Sequence, residues 1–71
     1  MTGVAALVAE GGRLLDSAAE ARTLLAHAAG VEANRLLLLD ALSEPVLAQY
    51  RALLARRAAG MPVQYLTGRG I

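Results

Sequence analysis

The sequence contains no cysteine, no phenylalanine and no tryptophan, and only two prolines and a single histidine. Without cysteine there can be no disulfide and no thiolate nucleophile, and one imidazole alone cannot supply a zinc-type ligand set. Lysine is missing too: all seven basic residues are arginine, set against six acidic residues for a formal net charge of +1. So small an excess does not make the concentrated basic surface that binds nucleic acid through counterion release. No apolar run approaches the roughly 20 residues needed to cross a bilayer. Met1 to Gly12 lacks a positive leading segment and carries Glu10, so it does not read as a signal peptide. The expectation is a cytoplasmic protein with no metal site, no nucleic-acid partner and no membrane contact.

What is present is alanine and leucine in a chain that is 56% hydrophobic, with aromatics at 3%. Both residues are strong helix formers, and the fold class expected is all-α, a compact bundle of four to five short helices with no sheet. Seventy-one residues make one domain, near the lower limit at which a core without staples holds a chain.

Val4, Leu7 and Val8 form an i, i+3, i+4 stripe, which predicts a short first helix over Val4 to Glu10 stopped by Gly11-Gly12. That glycine pair lacks the preceding strand and following lysine of a phosphate loop. Ser17 with Glu20 three residues later is a capping box opening a second helix, Ala18 to Ala29, with Gly30 as its stop. Ala21, Leu24, Leu25 and Ala28 are its inward positions. His27 lies beside that stripe with no Ser, Cys or Asp arranged to work with it, so its placement in a last helical turn is read as structural.

Leu36 to Leu39 suits a buried strand or a buried helical turn equally by period. Leucine lacks the β-branching of strand residues and no partner strand is evident, which favours a short helix, Asn34 to Leu39, capped by Asn34 and inserted deeply in the core. Ser43 as N-cap, Glu44 in the first turn and Pro45 beside it then start the longest helix, Glu44 to Ala59. Val46, Leu47, Tyr50, Leu53 and Leu54 share one face of it, with Arg51 and Arg56 directed away. Gly60 and Pro62 turn the chain, and Pro62 to Leu66 form one further turn of helix ended by Gly68. Tyr65 is expected as a core ring with its hydroxyl at the surface.

The run Arg56, Arg57, Gly60, Pro62, Gln64, Tyr65, Leu66 and Gly68, together with the upstream segment Glu20 to Gly30, resembles the N-terminal domain of the HemK/PrmC family over roughly Ser17 to Gly68. The resemblance implies a helical substrate-docking domain over residues 1–68. Residues 69–71 would begin a linker to a catalytic domain absent from this sequence. Family members transfer a methyl group from S-adenosylmethionine to the glutamine of the Gly-Gly-Gln motif in class I peptide chain release factors. Their cofactor loop and their Asn-Pro-Pro-Tyr motif have no counterpart here, Pro45 and Pro62 being the only prolines. No catalytic, cofactor or metal residue can therefore be carried over, and S-adenosylmethionine is expected to serve the full-length parent and not this fragment, which is expected to be inactive alone.

The partners that the resemblance implies are a release factor and the catalytic domain of the same chain, with the module itself a monomer. The positions open to such contacts are Arg51, Arg56, Arg57 and Gln64. For the arginines a second reading stands beside it, solvated cations favoured by the end of a helix dipole. An independent helical interaction or dimerisation module is the alternative function.

Overall fold

The computed structural model describes residues 3–39 and 42–67, apart from the side chains of Leu37 and Gln64. Its elements are α1 (Val4–Leu15), α2 (Ala18–Ala29), a 3-10 helix (Ala33–Leu38), α3 (Glu44–Ala58) and α4 (Val63–Leu66). There is no strand among the described residues, so the class is all-α as the composition indicates. No helix of the described residues is long and apolar enough to cross a membrane.

The fold is built on α2, which packs against every other helical element. Ala21, Leu24, Leu25 and Ala26 of this helix are buried, and around them close Val4 and Leu7 from α1, Leu36 from the 3-10 helix, and Tyr50, Leu53 and Leu54 from α3. Ala21, Leu24 and Leu25 are where the sequence pattern places them, and Ala28 is half-buried at the margin of the core. No buried side-chain nitrogen or oxygen lacks a hydrogen bond among the described residues. The buried Tyr50 hydroxyl donates to the Leu7 carbonyl at 2.8 Å.

That hydroxyl explains the largest departure from the sequence pattern. Gly11-Gly12 does not stop α1, which continues through both to Leu15. Gly11 is buried, and a Cβ added there would overlap the Tyr50 hydroxyl and lie 3.0 Å from the Ala21 Cβ and 3.1 Å from Leu54 Cδ2. Gly12 likewise faces Ala18, whose Cα would be 3.0 Å from an added Cβ. The pair lets α1 lie against α2 and α3 at close range, a packing role in place of a helix stop.

Three helix ends share one device. At or just past the helix end a residue takes a positive φ, and the next N–H reaches back five residues to a carbonyl of the last turn, as in Schellman closures. Met61 donates to Arg56 past Gly60 (φ 111°), Val31 to Ala26 past Gly30 (φ 74°), and Ser17 to Gly12 past Asp16 (φ 58°). Asp16 is the non-glycine among them.

Several smaller expectations are corrected. Ser17 Oγ accepts the Glu20 N–H at 3.2 Å, but the Glu20 carboxylate does not return to Ser17, because it is held by Arg57 across the bundle. Neither Ser43 nor Asn34 caps through its side chain: Ser43 contributes only its carbonyl, to the Leu47 N–H, and the 3-10 helix already begins at Ala33 behind Glu32. Pro62, at ψ 145°, precedes α4 and is not part of it. Of the leucine run, Leu36 is fully buried and Leu39 half-buried, whereas Leu38 is 77% exposed. Three residues per turn put positions 36 and 39 on one side and turn 38 outward. The expected stop at Gly68 lies outside the described residues.

Candidate partner interface

The four positions open to partner contacts lie on the last turns of α3 and on α4. An α-helix advances about 100° per residue, so two neighbours such as Arg56 and Arg57 point in very different directions. Arg57 continues the inward spacing of Val46, Tyr50 and Leu53 and is half-buried. Its Nε and Nη2 donate to the two carboxylate oxygens of Glu20, at 3.0 and 3.3 Å. The pair is bidentate, with each side chain about one-third exposed. It joins the last turn of α3, where a cation complements the helix dipole, to the first turn of α2, where an anion does.

Arg51 and Arg56 are exposed on the opposite side of α3 and have no ion-pair partner among the described residues. The backbone of Gln64 lies in α4, while its side chain is outside the described residues. Tyr65, expected as a core ring, is 69% exposed. A four-residue helix has one inward side, and Val63 and Leu66, at i and i+3, occupy it. The i, i+3 spacing of Val63 and Leu66 is the sequence signal for this orientation.

Elsewhere the surface offers little organised chemistry. His27 is exposed at the rim of a groove of about 510 Å³ between the end of α2 and the turn that follows, with Thr23, Glu32 and Thr67 around it. No group of three or more His, Cys, Asp or Glu residues converges among the described residues. The phenol of Tyr50 is pushed up to about 12, first by burial and then by the negative charge of Glu10, so it is neutral at physiological pH and serves as a donor inside the core.

A family model, that of the PrmC N-terminal domain, matches the chain over residues 3–68. The chain belongs to that family. The match takes in all five helical elements, α1 included, and so extends further toward the N-terminus than the Ser17-to-Gly68 resemblance. No curated protein and no solved structure matches the chain significantly. Within the PrmC N-terminal domain described here, the arginine-bearing face of α3 and the exposed Tyr65 stand out as surface not used to hold the bundle together, whereas Val63 and Leu66 tie α4 to the core. The Arg57–Glu20 pair belongs to the architecture.

Proposed function

We propose that this chain is the substrate-docking domain of a release factor glutamine methyltransferase, an S-adenosylmethionine-dependent enzyme of the cytoplasm that methylates the glutamine of the Gly-Gly-Gln motif. In this reading residues 1–68 form the docking domain and 69–71 lead toward the catalytic domain, which binds the cofactor and carries out methyl transfer. The observation that supports it most is the family match spanning residues 3–68. Contacts made far from the reacting amide raise the rate by holding it against the methyl donor, replacing a diffusional search by an intramolecular approach. A small rigid domain suits that task, because an ordered surface loses little further freedom on binding.

The test is a pair of calorimetric titrations of this chain, one with a class I release factor and one with S-adenosylmethionine. Binding of the release factor without heat from the cofactor is the expected result. Cofactor binding by this chain would overturn the division of labour, and failure to bind the release factor would overturn docking. A self-associating module is the competing reading, favoured by the exposure of Leu14, Leu38 and Tyr65 at 59%, 77% and 69%. Sedimentation separates the two, since docking predicts a monomer.

A further inference from the structure

The three arginines near the end of α3 are not equivalent. Arg57 is held by Glu20, while Arg51 and Arg56 stand free of ion pairs among the described residues. Five residues on an α-helix separate these two by about 140° around the axis. Ala48, Ala52, Ala55 and Ala59, all exposed, fall in the strip between them, spaced by four, three and four residues. The opposite side of α3 is taken by Val46, Leu47, Tyr50, Leu53 and Leu54 in the core. The solvent side of this helix is thus a low ridge of methyl groups with a guanidinium on each flank. The helix dipole accounts for a cation at Arg56, in the last turn, but its influence does not reach back to Arg51.

We infer that this face of α3 receives an acidic helix of the protein substrate, one carrying carboxylates on both flanks of its own contact stripe; the inference rests on the docking reading above. Methyl groups in place of larger side chains let a second helix approach to the short end of the usual 8–10 Å range of axial distances. At that distance a guanidinium on either side can take a carboxylate in a bidentate pair, which fixes register as well as sign. A second copy of the chain does not fit. Packing this strip on itself sets arginine flank against arginine flank, and the only carboxylate of α3, Glu44, lies at its first residue, two turns before Arg51. Nucleic acid does not fit either, because two arginines on a chain of net charge +1 release few counterions.

The experiment titrates a class I release factor into the wild-type chain and three double variants, with circular dichroism confirming that each is folded. Arg51→Glu with Arg56→Glu reverses both flanks. Ala52→Leu with Ala55→Leu raises the ridge at exposed positions where helix propensity barely changes. Arg13→Glu with Arg35→Glu makes the same change in net charge at exposed sites on other elements. The first two are expected to weaken binding ~10-fold or more, and the third by no more than about twofold. Equal losses in the two charge variants would reduce the effect to net charge and overturn the assignment of the face. Unchanged binding in both α3 variants would overturn it as well, while leaving docking itself intact. If the wild-type chain does not bind, the docking reading falls and the inference with it. A wild-type dimer dispersed by the leucine variant would assign the strip to self-association, and salt-dependent RNA binding abolished by the α3 charge variant would assign it to nucleic acid, each overturning the proposal.

Discussion

Gly11 and Tyr50 form a lock that a double-mutant cycle can measure. In an ordinary helix interior, replacing glycine by alanine stabilises by about 1 kcal/mol, because the unfolded chain loses freedom and the helix gains a better former. At Gly11 the new methyl would overlap the Tyr50 hydroxyl, which cannot retreat without breaking its 2.8 Å bond to the Leu7 carbonyl. Overpacking a close-fitted core costs about 1–3 kcal/mol, and a buried hydrogen bond lost with it about 1–2 kcal/mol more. After the propensity gain, Gly11→Ala should destabilise by about 2–3 kcal/mol, which for a domain of this size is a fall in melting temperature of about 10–20 °C.

Tyr50→Phe alone removes the hydroxyl while the Leu7 carbonyl keeps its own helical partner, a loss of about 1 kcal/mol. With the oxygen gone, the alanine methyl occupies the space it left, and only the contacts to Ala21 and Leu54 must relax, by a few tenths of an ångström. The double variant should therefore be close to Tyr50→Phe in stability, with a coupling energy of about 2 kcal/mol between the two sites. Thermal and urea unfolding followed by far-ultraviolet circular dichroism measure all four corners. A Gly11→Ala variant that melts above the wild type, or a double variant whose loss is the sum of the singles, would refute the packing argument.

The same hydroxyl makes stability sensitive to alkali. The folded state holds the Tyr50 proton up to about 12 against an ordinary value of 10.0, so its stabilisation is complete below pH 10 and declines as pH rises toward 12; Tyr50→Phe should flatten that decline in a pH series of urea midpoints. At the helix ends, Gly30→Ala should cost about 1 kcal/mol although nothing lies within 4 Å of the added methyl, because φ is 74°, while Asp16→Gly should gain up to about 1 kcal/mol at φ 58°. Opposite signs in a melting comparison are the signature to look for. For the Glu20–Arg57 pair, Glu20→Gln should cost about 1 kcal/mol, less in high salt, and the swap Glu20→Arg with Arg57→Glu should not restore it, because the pair reforms against both helix dipoles.

The helices that carry strong local signals were legible in the sequence. Ser17 with Glu20, Gly30, the Glu44-Pro45 start and Gly60 each act through their own backbone or a neighbour within one turn, and α2 and α3 begin where those signals put them. What escaped was information held between distant residues. Glycine as a helix stop is a local rule, and at Gly11 it yielded to Tyr50, far along the chain, which needs a gap to fill. The continuous spacing of Val4, Leu7, Gly11 and Leu15 was nevertheless visible, had glycine been counted as a small core residue and not as punctuation. The capping box was half right for the same reason: Ser17 acts locally, but the Glu20 carboxylate found a better partner in a guanidinium on another helix.

Arg56 and Arg57 show how far a motif can be read without the phase of its helix. As adjacent letters they look interchangeable, and both belong to the run that points to the family. The 100° between them gives one to the bundle and the other to solvent. Arg57 follows Val46, Tyr50 and Leu53 at inward spacing, so its cation is neutralised over the first turn of α2 and helps fix the angle at which α3 crosses the core. Arg56 instead joins Arg51 across a strip of alanines. The residues that hold α3 in place are thus distinct from those left exposed on its solvent side, a separation that the proposed docking role would require. On the docking reading proposed above, charge reversal at Arg51 and Arg56 should weaken binding without unfolding the domain, whereas the same change at Arg57 would confound the two.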